Sequence, residues 1–426
     1  MDLLLKFAPF LKVVAAFTVM LIGIRFKVSL GLSILAGGLV MALLFGLGVM
    51  DWATTSALAL TQEKFLFLAA IVGLILMLSD ALERSGQSRR LMDALSGYLR
   101  SPRVRLVFFP ALIGLLPMPG GAVFSAPMIR TAAEGMPISS RNLALINHWF
   151  RHVWELAWPL YPGIILTVAL ADIPIASLIS RTWPGVFAMF GLGWLFYLRP
   201  GVLGDVTMSA DLPRAGGRIR DILRHGLPLL VAIVGAIGLE TALSVFTRGI
   251  PFEWGVIAAL ASAVCSVMIQ NRLGLPFLRA VLGKRSLWAM LSVIASIFVF
   301  KDVMHAAGVV DEMARTAGGD AALFAASVFL PFLVGAVAGV NVAFVGATFP
   351  LLLGLLGNLG LMDQKIPYLV LATFSGFTGV MISPIHVCFI LTCQYFKTDL
   401  GATWKRLVPP CLCLLAVGYG LFRILL

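Results

Sequence analysis

Four ionisable side chains stand close together in the stretch Asn147-His-Trp-Phe-Arg-His-Val-Trp-Glu-Leu-Ala-Trp-Pro-Leu-Tyr-Pro162. On a helix, His148, Arg151 with His152, and Glu155 fall at i, i+3/i+4 and i+7 and share one face. Three chemistries fit this face. As a binding and coupling surface, Arg151 and the histidines attract an anionic group while Glu155 or a histidine carries a proton near neutral pH. As a structural network, Glu155 only neutralises Arg151. As a metal site, the His148-x3-His152 pair takes Glu155 as a third ligand. The first is preferred, because ionisable groups inside apolar segments normally face an interior or a water-filled path. The metal reading is the weakest, because the rest of the chain offers no companion cluster. Trp149, Trp154, Trp158 and Tyr161 read as interfacial or packing aromatics.

Three other stretches could meet a ligand. Pro117-Met-Pro-Gly-Gly-Ala-Val-Phe-Ser-Ala-Pro127 interrupts an apolar run with residues that remove backbone donors and permit unusual dihedrals and close approach. A helical arm restarting after Gly121 would aim free N–H groups and a positive dipole end at the tip, which suits an anion. Gly339-Val-Asn-Val-Ala-Phe-Val-Gly-Ala-Thr348 is a second such tip, with Asn341 and Thr348 as its polar side chains. In Ser375-Gly-Phe-Thr-Gly-Val-Met-Ile-Ser-Pro-Ile-His386, the hydroxyls of Ser375, Thr378 and Ser383 lie near Gly376, Gly379 and Pro384. Hydroxyls with freed carbonyls would make a Na⁺ site or an uncharged half of a substrate site. His386 alone reads as a satisfied buried histidine or a gate residue rather than a ligand.

The elements that must hold these residues are set by composition. The chain has 426 residues, of which 60% are hydrophobic and 12% charged, and its mean hydropathy is +0.99. Soluble domains carry about a quarter charged residues, so this chain belongs in a bilayer. A net charge of +12 could suggest nucleic acid, but the basic residues sit in short polar gaps between apolar segments, as orientation signals do. Five cysteines, Cys265, Cys388, Cys393, Cys411 and Cys413, lie in or beside apolar segments without metal-ligand spacing and read as packing residues. The first 24 residues lack a clear cleavage site and read as a first span.

A spanning helix needs about 20 mostly apolar residues. Ordinary spans are expected at 6–24, 28–49, 64–81, 172–198, 226–247, 252–270, 287–305 and 403–425. The segments 106–136 and 321–358 are broken in the middle and read as re-entrant hairpins, each followed by a broken spanning helix, 139–170 and 365–396. Non-helical backbone at membrane depth survives only inside protein or beside water. The expected fold is all-α, with about ten transmembrane helices and two hairpins. With the N-terminus outside, 22 of the 32 Lys and Arg residues fall on the inside, as the positive-inside rule requires. The gap 82–105 reads as a cytoplasmic surface helix. Asp80 and Glu83 beside Arg84, Glu240, and the pair Lys301/Asp302 read as structural.

Residues 1–198 and 226–426, joined by a polar linker 199–225, each read as three spans, a hairpin, a broken span and a final span. Pro127 and Pro159 are 32 residues apart, Pro350 and Pro384 are 34 apart, and the two halves are offset by 223 to 225. An odd number of spans per half makes the repeats inverted in topology, and paired interruptions at matching positions point to a transporter's binding site.

The tip Pro117-Met-Pro-Gly-Gly-Ala122, the helix His148-Trp-Phe-Arg-His-Val-Trp-Glu155 with Trp158-Pro-Leu-Tyr-Pro162, and Ser375-Gly-Phe-Thr-Gly379 with Ser383-Pro384 resemble the integral membrane proteins of domain-of-unknown-function family 401. The resemblance covers nearly the whole chain. That family looks like a branch of the ion transporter superfamily, alongside gluconate permeases, divalent-anion/sodium symporters and TRAP membrane subunits. The resemblance implies an elevator-type carrier, usually a homodimer, in which hairpins and broken helices carry substrate past fixed spans. On it, Pro119, Gly120, Gly121 and Ser125 match the first hairpin tip, Asn341 and Thr348 the second, and Ser375, Thr378 and Ser383 the second broken helix. The Ser-Asn-Thr tip of the divalent-anion symporters is absent from both hairpins, so neither dicarboxylate specificity nor sodium coupling carries over.

The expectation is a multi-pass protein of a bacterial inner membrane that moves a small organic anion, of carboxylate or sugar-acid type, by an elevator motion among membrane lipids. Coupling is to H⁺ or Na⁺, through Glu155, His152, Asn341, Thr378 or Ser383. No catalysis, metal, nucleic-acid partner or cofactor other than a coupling Na⁺ is expected. Two rivals are a translocase for lipid-linked phosphate and a membrane-embedded metal enzyme using His148, His152 and Glu155. The orientation is testable with Ala210→Cys and Asp363→Cys placed singly in a cysteine-free chain. A membrane-impermeant maleimide added to whole cells should label the second and spare the first; the reverse pattern would invert the threading.

Overall fold

The computed structural model describes residues 2–96, 98–99, 101–115, 121–203, 218–247, 251, 253–316 and 319–426. Among them all regular structure is helical, and nine helices are long and apolar enough to cross a membrane. The chain is a multi-pass membrane protein. Seven of the eight ordinary spans find such a helix: Ala8–Arg25, Glu63–Arg84, Ile175–Leu198, Ile219–Leu243, Glu253–Asn271, Arg285–Ala306 and Leu400–Leu425.

The eighth does not. Residues 28–49 hold Leu30–Leu44 and the start of Val49–Ala59, parted by Gly46 in a left-handed conformation at φ +86°. Fifteen helical residues reach about 22 Å, short of the roughly 30 Å hydrocarbon layer. Conversely Asn341–Asn358, read as a hairpin arm, is itself long and apolar enough for a span.

The other interruptions fall close to where sequence put them. Hairpin one has arms Pro102–Gly114 and Ala122–Ala132. Its tip residues Pro119 and Gly120 lie outside the described residues. Hairpin two has arms Leu330–Ala338, preceded by a π-helical turn Ala325–Phe329, and Asn341–Asn358. It turns at Gly339, which takes φ +66°, a conformation open to glycine at little cost.

The first broken segment is helical over Ser140–Arg151 and Pro162–Ala171. Its helix ends at Arg151, eight residues before Pro159, so the face of His148, Arg151 and His152 does not continue helically to Glu155. Residues 152–157 form successive turns instead, and Glu155 N–H bonds to His152 O at 3.2 Å, which keeps the carboxylate beside the imidazole. Pro162 then opens the second half at the first helical position, where its missing N–H costs nothing.

The second broken segment corrects a further expectation. Lys365–Ile382 is one unbroken helix through Ser375, Gly376, Thr378 and Gly379, and the break comes at 383–386, before Val387–Phe396. Gly376 and Gly379 free no carbonyls; they are a packing seam. A Cβ on Gly379 would meet the Phe332 carbonyl, one on Gly376 the Phe344 ring, and one on Gly335 the Gly376 carbonyl. Gly114 is the counterpart in hairpin one, where a Cβ would strike the Arg151 carbonyl.

The remaining helices enclose these pieces. Glu240 is fully buried and its Oε1 accepts the Ile175 N–H at 2.7 Å, holding the start of one span against another. Asp80 pairs with Arg84 and with Lys284, and Lys301 with Asp302 at 3.3 Å, as structural ion pairs. Within 82–105, helix Gln87–Ser96 is docked rather than loose: Gln87 Nε2 donates to His225 O at 3.0 Å and Asn271 Nδ2 donates to Gln87 Oε1 at 2.6 Å. Helix Ile219–Phe246 turns Leu223, Leu227, Leu230 and Val234 outward, a stripe at helical spacing suited to lipid.

Closing the glycine seam should be costly. Gly335→Val should lower stability by about 1–3 kcal/mol, read as a lower melting temperature in detergent. An unchanged melting point would mean the two helices do not pack this closely.

Candidate functional site

Described residues flanking the interruptions of the four segments meet in one buried place. Hairpin one contributes Gly121 and Ala122, the first broken segment Arg151 to Tyr161, hairpin two Gly339 to Asn341, and the second broken segment Ser383 to His386.

Arg151 is 3% exposed and wedged against hairpin one. Its carbonyl abuts Gly114, and its guanidinium lies where a Cβ of Gly121 would stand. Gly121 has ordinary helical dihedrals, φ −53° and ψ −14°. Its smallness therefore serves a close approach by Arg151, and no unusual backbone is involved. Cys388, in the first turn of the half-helix Val387–Phe396, is buried beside the second break.

Glu155 is 10% exposed and faces the other hairpin. Asn341 Nδ2 donates to its Oε2 at 2.5 Å, and its Oε1 lies 3.7 Å from His152 Nε2. Gly163, in the first turn of the next half-helix, leaves room for Asn341, whose Cβ would be 3.2 Å from a Cβ placed there. Thus the arginine holds one hairpin tip and the acid the other.

Two break-to-hairpin bonds match. Tyr161 Oη donates to Gly114 O at 2.6 Å, and His386 Nδ1 donates to Gly339 O at 2.7 Å. Each spans 47 residues, and the two bonds lie 225 residues apart at both ends. Asp172 and Lys397, also 225 apart, end the half-helices Pro162–Ala171 and Val387–Phe396 with left-handed φ of +53° and +51°.

The histidines form a triangle. Ring centroids are 4.7 Å apart for His148 and His152, 4.9 Å for His152 and His386, and 5.3 Å for His148 and His386. His152 Nε2 and His386 Nε2 approach to 3.1 Å. Neither ring nitrogen of His148 has a well-formed hydrogen bond.

The hydroxyls read as candidates are divided. Ser383, at the second break, donates to Ala336 O at 2.6 Å, and Ser375 to Val328 O at 2.7 Å, so both lace their helix to hairpin two. Thr348 is fully buried two turns into Asn341–Asn358 and donates to Phe344 O at 2.7 Å. Ser125 turns back to Gly121 O and Ala122 O, each at 3.4 Å. The buried Thr378 hydroxyl has no hydrogen-bond partner.

The sequence profile of a family described as protein of unknown function, DUF401, matches residues 10–424. The chain belongs to that family. No curated protein matches it.

In this DUF401 protein, sequence reasoning undervalued one residue and passed over others. His386 was expected to be a satisfied buried histidine or a gate residue; it is buried and bonded to Gly339 O, and its Nε2 also meets His152 across 234 residues. Asn147 donates to Thr392 Oγ1 at 3.0 Å, and Tyr161 ties the first break to hairpin one. The signal for Cys388 and Thr392 was their position, two and six residues past His386 on the half-helix that starts at the break.

The Asn341–Glu155 bond should be measurable by a double-mutant cycle. Asn341→Ala and Glu155→Gln should couple by about 1.5–3 kcal/mol, the range of hydrogen bonds to charged groups, in unfolding measured in detergent. Additive effects would place the two side chains out of contact.

Proposed function

We propose that this DUF401 protein is a secondary active transporter of a small organic anion, of carboxylate or sugar-acid type, driven by H⁺ or Na⁺. It is a carrier with no covalent step. The observation that carries the reading is the meeting, around Arg151 and Glu155 inside the protein, of residues that flank the four backbone interruptions. Irregular backbone is expensive at membrane depth and persists where it lines a site, and deeply placed ionisable groups mark substrate paths.

The charge pattern favours an anion. The half-helices Ala122–Ala132, Asn341–Asn358, Pro162–Ala171 and Val387–Phe396 all start at the site, so four sets of free N–H groups and positive dipole ends face it. Arg151 adds a fixed cation able to take a carboxylate through two parallel hydrogen bonds. Hairpin one is flanked by a cavity of about 520 Å³ lined by Arg89, Phe124, Met128 and His225 among others, and by a smaller one carrying Arg89 and Arg105. Glu83 and Asp93 line the larger cavity together with Arg89, and Asp93 the smaller, so both are mixed in charge and the preference for an anion comes from Arg151 and the helix ends.

The inverted repeat of 1–198 and 226–426 is part of the proposal. The matched bonds Tyr161 to Gly114 and His386 to Gly339, and the matched left-handed ends Asp172 and Lys397, support it. Movement in this reading is of the elevator kind in a homodimer of the bacterial inner membrane. The two hairpins and two broken segments, tied to one another by side chains, travel as one body past the remaining spans.

Uptake into proteoliposomes tests the function, with carboxylates, phosphates and sugar acids offered with and without Na⁺ and a pH gradient. Arg151→Ala should cut uptake of the accepted anion at least about thirtyfold, the effect of losing about 2 kcal/mol or more from one partner of a buried charge pair. Rates unchanged in the Arg151→Ala, Glu155→Gln double variant would remove the site from the pathway.

A further inference from the structure

We infer that His148, His152 and His386 form a binding site for a borderline divalent transition metal of the zinc class, with Glu155 beside His152. The inference goes beyond anion transport and holds whether or not the chain carries anions.

It starts from the hydrogen bonds. His152 Nδ1 lies 2.5 Å from His148 O, and His386 Nδ1 lies 2.7 Å from Gly339 O. A carbonyl oxygen only accepts, so in both rings Nδ1 carries a hydrogen, and Nε2 is the atom left to hold either a proton or a metal. Those two Nε2 atoms face each other at 3.1 Å. Two lone pairs at that separation repel unless something positive lies between or beside them. An Nδ1–H held by a backbone carbonyl, with Nε2 free, is the arrangement by which proteins orient a metal-binding imidazole.

The third ring completes the set. His148 is fully buried, and neither of its nitrogens has a well-formed hydrogen bond, an arrangement that wastes a polar group in apolar surroundings. Its ligand atom, with those of His152 and His386, falls in a group whose members all lie within 4.8 Å of one another. Four ligands at about 2.0–2.1 Å in a tetrahedron stand about 3.3 Å apart, so the 3.1 Å pair needs almost no adjustment and His148 needs a side-chain shift of at most about 1.5 Å. Glu155 Oε1 lies 3.7 Å from His152 Nε2 but outside that group of three, so a fourth ligand is either this carboxylate after it turns toward the other rings or a water molecule. Three nitrogens and one oxygen suit Zn²⁺ or Co²⁺ and suit Mg²⁺ or Ca²⁺ poorly.

The site also uses the fold's long-range closure. His148 and His152 come from one broken segment and His386 from the other, so a bound ion would pin the two breaks together at the point where Asn341 and Glu155 already meet.

The test uses full-length, tag-free protein, stripped with a chelator and titrated with Co²⁺. The expected result is one Co²⁺ per chain with the intense visible absorption of four-coordinate cobalt, displaced by an equivalent of Zn²⁺. His148→Gln should weaken binding at least about tenfold, as even outer-shell losses do at such sites. It removes a ligand without breaking a hydrogen bond, so its fold, checked by gel filtration and circular dichroism, should persist. His386→Gln should do the same, and His305→Gln, at an exposed helix end, should bind like the wild type. A weak six-coordinate spectrum in the wild type, or equal Co²⁺ binding by the His148→Gln, His152→Gln, His386→Gln triple variant, would overturn the site. Uptake by the metal-free wild type separates this outcome from the transport reading, which concerns Arg151.

Discussion

The structure depends on one constraint: a chain that breaks its helices inside an apolar environment must give the exposed backbone and polar groups partners there. In this protein the broken segments and the hairpins answer one another. The carbonyl at the end of hairpin one is taken by Tyr161 of the first break, and the carbonyl at the turn of hairpin two by His386 of the second. Arg151 fills the space left by Gly121, and Asn341 caps Glu155. The same groups that make the breaks tolerable therefore also make a charged, hydrogen-bonding chamber. Stability and chemistry are not separable at this place.

Glycine does two different jobs in this arrangement. At Gly339 a left-handed φ is needed to turn the hairpin. At Gly114, Gly121, Gly335, Gly376 and Gly379 the missing Cβ is needed so that backbone, the Arg151 guanidinium or, at Gly376, the Phe344 ring can come close. In the sequence both look alike, as a small residue in an apolar run. That explains why freed carbonyls were expected at Gly376 and Gly379 as well as at Pro384; the helix is continuous and tightly packed at the two glycines and breaks at 383–386, around Pro384.

Much of the fold was legible because apolar run length and Pro/Gly interruption are local properties. The hairpins, both broken segments and most spans could be placed from them. The failures had local causes as well. Leu30–Leu44 is apolar enough for a span and too short, and its end depends on one glycine's dihedral. The helix at His148 stops at Arg151, where no proline or glycine announces it. The site was legible only in part, because its acid, arginine and two histidines are neighbours in sequence while their partners are not. Nothing near His386 could show that it meets His152, and nothing near Asn341 could show that it meets Glu155.

Those separations matter for how the protein is made. Glu155 waits 186 residues for Asn341, and His152 waits 234 residues for His386. Chains emerge and insert from the N-terminus onward, at about 5–20 residues per second, so the first broken segment exists for many seconds before its partners do. During that interval a carboxylate, a guanidinium and two imidazoles belong to a half-finished assembly, held at the membrane surface or by other factors until the last quarter of the chain arrives. The chamber therefore cannot close before His386 is made, and the span Leu400–Leu425 follows it.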